Sequence, residues 1–531
     1  MSEEAGPSLV AVVERCLQRL GNAPIVIDEH ERLSYNDLVE AASLIAGKAH
    51  AISNRTRPHI AALMDNRWEY LAVDLACAAY GCVLVRLNAR DTVTDISHIL
   101  RHSDTTLLVC GGERGSEATA ACAAAREAGH EIETLRLAER DQRHSLEDLR
   151  DALGPGVRPA AFVDAGGSTL YRLMYTSGST GTPKGVMVTH RQWHSAVLEH
   201  LLRGPLADIT GNHALLHITP LSHVSGGLFW PFAAVGAHHV IARSPHVDDI
   251  AAAAERNKPT HAFMVPTLVK RMVDAGDALR DTLASLQRIY YAAAPIAPDT
   301  LRAALELYGP VFAQGYGSTE AMWWLTYFPP EAHADAMVAG NMARLASCGQ
   351  PSVGVPVAVL DDDGREVDCG DIGEVATRGP HVAAEYWKAG EVPREGGRRD
   401  GWFRTGDTGS LDHDGFLTLM DRKSDLIITG GFNTYPREVE MVLEQDPRIQ
   451  ECCVVGAPDP DWGEVVTAVV VPAAHVILTE QDVIDFARLR VADYKRPRKV
   501  ILTDRLPETS AGKRDRKAIR AALWADQGRS V

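Results

Sequence analysis

Apolar residues at Leu9, Val12, Val13, Cys16, Leu17 and Leu20 recur at the spacing of one helix face, so the chain opens on an amphipathic helix. Ser34 with Asp37 three places on has the form of a capping box and predicts a second helix running toward His50. Short apolar runs follow at 60–63, 83–85 and 107–110, separated by helix-length segments. That rhythm predicts a parallel sheet flanked by helices. It resumes from Tyr171 to about Val311, so the large part of the chain is expected to hold more than one layered subdomain.

The pattern changes near Pro380. Residues 389–401 are rich in Gly, Arg and Glu with little to bury, which predicts an exposed loop. Beyond Asp421-Arg422 the rhythm is that of a small α+β unit: a strand at 427–429, a helix over 436–445, strands at 452–455 and 465–471, and a helix near 483–489. The predicted class is α/β, with a large N-terminal domain of layered sheets flanked by helices and a small α+β C-terminal domain of about 110 residues. No internal repeat interrupts this division.

Composition narrows the function classes. At 531 residues the chain is too long for one compact core, and 45% apolar with 23% charged residues excludes a mainly disordered protein. A net charge of −16 argues against binding nucleic acid or an anionic membrane through the general field, although a local basic patch could still hold one phosphate ligand. The nine scattered cysteines form no CxxC pair and no zinc spacing, which predicts reduced thiols in a cytoplasmic protein. The acidic start Met1-Ser2-Glu3-Glu4 lacks the order of a signal peptide, and the most apolar stretches are broken by Asp74 and Pro472. A soluble metabolic enzyme is the expected class.

The strongest local signal runs from Tyr175 through Thr176, Ser177, Gly178, Ser179, Thr180, Gly181, Thr182 and Pro183 to Lys184 and Gly185, after apolar Leu173-Met174. Glycines and small hydroxylic residues in series let N–H and hydroxyl groups converge on an anion, and Lys184 adds a positive charge. The motif is not the P-loop of kinases, which needs Gly before the Lys and Ser or Thr after it. The plainer reading is a flexible turn between strand and helix.

These residues resemble the phosphate loop of the adenylate-forming superfamily, and nearly the whole chain follows that family's motif order. Tyr316-Gly317-Ser318-Thr319-Glu320 resembles its second nucleotide motif, preceded by Gln314-Gly315. The segment from Trp402 to Asp407 resembles the ribose motif, Gly415 to Asp425 the domain junction, and Pro507 to Lys513 the C-terminal lysine motif. The resemblance implies a carboxylate attacking the α-phosphate of ATP, a reaction in which two anions must be brought together. It implies Glu320 as ligand of Mg²⁺, Thr319 on the α-phosphate, Tyr316 along the adenine, and Asp407 with Arg422 on the ribose. Thr176 and Lys184 would serve the phosphates, and Ala294-Pro295 would border the adenine. Lys513 would bridge substrate carboxylate and α-phosphate. Its neighbours Arg514, Arg516 and Lys517 also admit a basic solvated face.

The stretch from Ser424 to Pro436 resembles the acyl-CoA synthetase branch, where Gly430 and Gly431 would admit a pantetheine thread beside Phe432. Lys495 and Arg496 are candidate contacts for CoA phosphates, or plain surface charges. In that branch the small domain rotates between half-reactions, which implies domains at 1–423 and 424–531 with Ser424 as hinge. His223, Gly226, Tyr291 and Gly317 are expected to line the acid pocket, with Gly227 and Ala262 leaving room; Trp323 and Trp324 either shape it or belong to the core. One departure stands out. The family's adenine segment commonly reads Gly-Gly-Ala-Pro, and here it reads Ala292-Ala293-Ala294-Pro295, where alanine resists φ > 0. The sequence therefore implies an AMP-forming acyl-CoA ligase for a hydrophobic acid, using ATP, CoA and Mg²⁺. Three alternatives stay open: a thioesterification enzyme fed a preformed acyl-adenylate, an enzyme loading a carrier protein, and a nucleotide-binding interaction protein.

Overall fold

The computed structural model describes residues 8–525 apart from 140–144, 164, 177–182, 204, 323, 384, 390–400, 430–431, 461 and 510–513. The opening helix spans Val10–Leu20 and buries Val10, Val13 and Cys16. The second spans Tyr35–Ile52, with both halves of the Ser34/Asp37 capping box formed. Two orphan N–H groups at its first turn are thereby satisfied.

The three apolar runs of the first part become neighbours in one sheet. Its order is Glu133–Arg136, Leu107–Cys110, His59–Leu63, Val83–Arg86, Leu170–Thr176, Lys184–Thr189. The first five strands are parallel, and the last folds back as a hairpin on Leu170–Thr176. A second sheet of nine strands has a parallel centre built from His238–Ile241, Ala214–His217, His261–Met264, Arg288–Tyr291 and Phe312–Tyr316. The Asp74 that interrupted an apolar run lies in the helix Trp68–Ala79, 1% exposed, where Arg172 reaches both its oxygens at 2.8 and 2.9 Å. The Tyr171 hydroxyl donates to the same carboxylate and accepts from the Trp230 indole at 3.1 Å. A buried charge so paired and bonded carries far less desolvation penalty than a bare one.

A third sheet was not legible beforehand. Val357–Leu360, Gly373–Thr377, Phe403–Leu411 and Leu417–Arg422 pair antiparallel in that order. Its first two strands are only four and five residues long and buried at nearly every position, so they show no alternation, and the sequence showed only a change of composition. The expected exposed loop at 389–401 falls mostly outside the described residues.

The C-terminal part matches its expected elements closely. Strands Phe432–Thr434, Ile427–Thr429, Gly463–Pro472 and Ile449–Asp459 lie side by side, with Lys499–Leu502 parallel to Gly463–Pro472. The helix expected near 483–489 spans Glu480–Arg488, because a capping box of Thr479 and Asp482 starts it earlier. Among the described residues no helix is long and apolar enough to cross a membrane.

Candidate active site

The phosphate-loop candidate is the tip of the hairpin between the last two strands of the first sheet. Thr176 pairs with Lys184 and Tyr175 with Gly185, so the loop leaves and re-enters at one point. Gly185 is required there, since a Cβ would meet the Tyr175 ring at 3.0 Å. Ser177, Gly178, Ser179, Thr180 and Gly181 lie outside the described residues.

Beside this hairpin runs the segment 385–387. Tyr386 bridges to Val186, and the Trp387 amide donates to the Gly185 carbonyl at 2.7 Å. The Tyr386 ring lies 5.6 Å from the Lys184 ammonium, and its hydroxyl donates to Glu320 Oε1 at 3.2 Å. The Ala383 amide donates to the Glu320 carbonyl at 2.7 Å. Lys184 and Glu320, 136 positions apart, thus share a neighbour that sequence reasoning missed, because an isolated Tyr-Trp pair carries no motif. Among the described residues no three His, Cys, Asp or Glu side chains converge as a metal cage. A single hard carboxylate fits an Mg²⁺ that would keep its waters and take its other ligands from phosphates.

The second nucleotide motif and the ribose motif meet through one hydroxyl. Tyr316 ends the strand Phe312–Tyr316 and donates to Asp407 Oδ2 at 2.7 Å. Asp407 Oδ1 receives the Arg422 Nε at 2.8 Å, a pairing fixed by the cross-strand register Asp407↔Arg422. Burial, then the Asp407 charge, hold the Tyr316 hydroxyl well above its ordinary pKa, so it remains a donor. Asp407 retains acceptor capacity beyond these two bonds, as a diol-binding carboxylate needs. Ser318 caps the turn by accepting the Ala321 amide at 3.2 Å, and Gly317 is exposed at its tip, with half-buried Thr319 following.

The residues expected to border the acid take the following places in the fold. Tyr291 is fully buried, and its hydroxyl is engaged by Gln314 Oε1 at 3.0 Å and His333 Nε2 at 2.9 Å; it is a core residue. Gly226 is buried and permits a close backbone approach, because a Cβ there would stand 1.8 Å from the Leu221 carbonyl. Ala262 is likewise wholly buried within a core cluster. Trp324 is 4% exposed and packs over Gly315, where a Cβ would meet its ring at 2.4 Å, and Trp323 lies outside the described residues. His223 is half-buried at the start of the short helix Val224–Gly227, with Nδ1 at 3.0 Å from Ser222 Oγ.

The adenine segment departs from expectation at one residue only. Ala292 is 4% exposed and belongs to an apolar cluster with Phe232, Tyr290 and Trp324. Ala293 is exposed and adopts φ 75°, in the left-handed region that favours glycine. Ala294 is half-buried and Pro295 exposed. The strain at an L-residue there is about 1–2 kcal/mol, partly offset by the lower unfolded-state entropy of alanine. Ala293→Gly is therefore expected to raise stability by about 1 kcal/mol, read as a higher urea midpoint at unchanged m value. An unchanged or lower midpoint would remove the claim of strain.

Comparison with known proteins bears directly on this arrangement. A profile described as AMP-binding enzyme matches residues 13–387, and one described as AMP-binding enzyme C-terminal domain matches residues 438–513. The chain belongs to the AMP-binding enzymes. The medium/long-chain-fatty-acid–CoA ligase FadD8 of Mycobacterium tuberculosis is 32% identical over 97% of this chain and 90% of its own. A feruloyl-CoA synthase of an Amycolatopsis species is 33% identical, covering 91% of this chain and 92% of its own. The crystal structure of ATP-bound MatB from Rhodopseudomonas palustris superposes with a TM-score of 0.84 at 28% identity, covering 97% of this chain and 99% of that one.

As an AMP-binding enzyme the chain carries its C-terminal candidates on a separately packed unit. Lys513, Gly430 and Gly431 lie outside the described residues. The residues after Lys513 are far from a loose basic face. Arg514 pairs with Glu444 at 3.1 Å, and Arg516 spans Glu440 at 2.6 Å and Asp421 at 2.7 Å. The last contact ties the C-terminal unit to the end of the strand Leu417–Arg422. Ser424 is exposed in the 3₁₀ turn Lys423–Asp425 that joins the two parts. Phe432 is 55% exposed and stacks on Tyr494 at 5.0 Å. Lys495 is not a free surface charge, since Glu438 holds its ammonium at 2.5 Å, and Arg496 pairs with Asp493 at 3.4 Å.

Proposed function

We propose that this AMP-binding enzyme is an AMP-forming acyl-CoA ligase that activates a hydrophobic carboxylic acid as its acyl-adenylate and transfers it to CoA. The observation that carries the reading is the meeting of Tyr316, Asp407 and Arg422 beside the linked pair Lys184 and Glu320. These are the groups an adenylation needs, brought together from four separate segments. The similarity to two CoA-ester-forming enzymes over nine-tenths of the chain or more supports the same reaction.

In this reading Tyr316 lies along the adenine while its hydroxyl orients Asp407 toward the ribose hydroxyls, with Arg422 fixing the carboxylate from the other side. Lys184 and the hydroxyl and N–H groups of residues 176–181 hold the phosphates, and Thr319 bonds the α-phosphate. Mg²⁺ held by Glu320 would offset phosphate charge as pyrophosphate leaves. Tyr386 keeps the Glu320 carboxylate directed toward Lys184. Lys513 brings the acid carboxylate and the α-phosphate together, overcoming their repulsion. Rotation about Ser424 then replaces Lys513 by Gly430-Gly431 on residues 424–531. Phe432, Lys495 and Arg496 meet CoA, and thiolate attack releases AMP. His223 borders the acid. The nine cysteines, all free and eight of them buried, suit a reducing compartment such as the cytoplasm.

The positive φ of Ala293 favours one second reading, in which ATP use is weakened and the enzyme mainly thioesterifies an adenylate made elsewhere. Incubating the protein with an acid library, ATP and CoA, and reading CoA esters by mass spectrometry, tests the first. CoA ester from acid, ATP and CoA without any carrier protein supports it. Ester from preformed acyl-adenylate alone shifts the reading to the second. AMP release without any ester would point to a carrier-protein acceptor.

A further inference from the structure

The hairpin that ends in the candidate phosphate loop is gripped from outside by one helix. Val93–His102 begins at the Thr92 cap and carries His98 and His102 one turn apart, their rings stacked at 5.3 Å and 18°. His102 Nδ1 lies 2.8 Å from the hydroxyl of Tyr175, the residue before Thr176. His98 Nε2 lies 3.3 Å from the carbonyl of Pro183, the residue before Lys184. One helix face therefore touches both sides of the hairpin where the loop departs and returns. Burial foremost, then the Asp104 charge, keeps the Tyr175 hydroxyl protonated, and a neutral hydroxyl bonds His102 Nδ1 in either tautomer, as donor or as acceptor. His98, facing a carbonyl that can only accept, donates through Nε2.

The same helix also anchors the segment bearing Tyr386. The Trp387 indole donates to the His102 carbonyl at 2.9 Å. Lys388 and Arg55 both pair with Asp104, two residues past the helix end, at 2.7 and 3.0 Å. Both strands of the hairpin and the neighbour shared by Lys184 and Glu320 thus take their position from a single element.

We propose that His98 and His102 are positioning residues for nucleotide phosphates, holding the two ends of the phosphate-loop hairpin at the separation at which Lys184 and the loop engage ATP. The proposal rests on the reading of residues 176–184 as a phosphate cradle. Neither histidine touches the nucleotide. Each fixes one of the two residues, Tyr175 and Pro183, that flank Thr176 and Lys184.

The test measures ATP and AMP affinity by calorimetry on the full-length protein carrying His98→Ala, His102→Phe or His98→Gln. ATP presents three phosphates to the loop and AMP one, so the clamp is expected to act chiefly on ATP. His98→Ala and His102→Phe are each expected to weaken ATP by about threefold to tenfold, the scale of one lost hydrogen bond, with AMP affinity within about twofold. His98→Gln keeps an N–H donor toward Pro183 and is expected to recover most of the ATP affinity. Equal losses for ATP and AMP, or none for ATP, would overturn the proposal, as would a glutamine variant no better than alanine. Circular dichroism melting identifies any variant that fails to fold, and His102→Phe, which keeps an aromatic ring, then carries the comparison. Direct binding separates this outcome from the activity reading. A wild type that binds ATP but forms no CoA ester discards the proposed reaction and leaves the clamp intact.

Discussion

Acidification from pH 7 to about 5 is expected to unfold the part of the chain before the junction while the residues from 424 on stay folded. The N-terminal sheets enclose an unusual number of neutral imidazoles. His217, His239 and His333 are fully buried, and His200, His261 and His381 are at most 3% exposed. Burial lowers His217 and His261 to about 3, and His200, His333 and His381 to about 4, with His239 pushed down too. In the unfolded chain each returns to about 6.5. The unfolded state therefore binds more protons than the folded one between about pH 6.5 and the folded values, so stability is complete above 6.5 and falls as pH drops through that window.

Each such group steepens the loss by about 1.4 kcal/mol per pH unit, and several together exceed a typical stability of about 5–15 kcal/mol within two units. His217 shows why the proton is excluded. It is wholly buried, with Nδ1 2.8 Å from Ser225 Oγ and Nε2 2.9 Å from His239 Nδ1, and the loss of water around the ring penalises the charged form. The residues from 424 on contain a single histidine, exposed His475. Hydrogen exchange followed by mass spectrometry from pH 7 to 5 should report loss of protection in the N-terminal strands first. Uniform loss along the chain, or none, would show that these histidines do not control acid stability.

Lys513→Ala is expected to slow acyl-adenylate formation by roughly 100- to 1,000-fold, the range for removing one group aimed at developing charge. CoA-ester formation from preformed acyl-adenylate should stay within a few-fold. The asymmetry follows from the chemistry of the two steps. Adenylation brings a carboxylate against a phosphate and needs a cation between them; thioesterification expels AMP from an activated carbonyl and needs none there. The surroundings sharpen the assignment. Arg514 and Arg516 are committed to Glu444, Glu440 and Asp421, so two of the neighbouring cations are structural. Removing Arg516 would leave the buried side chain of Asp421 without its cation, whereas Glu444 keeps Arg437 at 2.9 Å when Arg514 is lost, so Arg516→Ala is expected to affect folding rather than one half-reaction. Single-turnover measurement of each half-reaction decides the matter. A parallel loss in both would take Lys513 out of the adenylation step.

The large α/β part, the small α+β part and the motif order were legible because each rests on local signals. A capping box such as Ser34/Asp37, a continuous apolar run or a glycine-rich loop after a strand can be read within a dozen residues. The four-stranded antiparallel sheet of residues 357–422 was not legible, since its short strands are buried at nearly every position and show no alternation. The surroundings of Tyr291 and Gly226 were not legible for a related reason: which groups engage the Tyr291 hydroxyl, and which backbone approaches Gly226, depend on how separate segments pack.

The sequence by itself determined the candidate residues for the chemistry and their order along the chain: Thr176 and Lys184, Tyr316 and Glu320, Asp407 and Arg422, Lys513. Tertiary structure alone decided that Tyr316 donates to Asp407, that Tyr386 stands between Lys184 and Glu320, and that one helix with two histidines grips both ends of the phosphate-loop hairpin. It also decided that Ala293 and not Ala292 bears the backbone strain of the adenine segment. The division has one physical cause. Propensity, capping and periodicity act between residues a few positions apart, whereas hydrogen-bond partners, burial and proton affinity are set by the packing of segments far apart in sequence, 91 residues for Tyr316 and Asp407 and 73 for His102 and Tyr175.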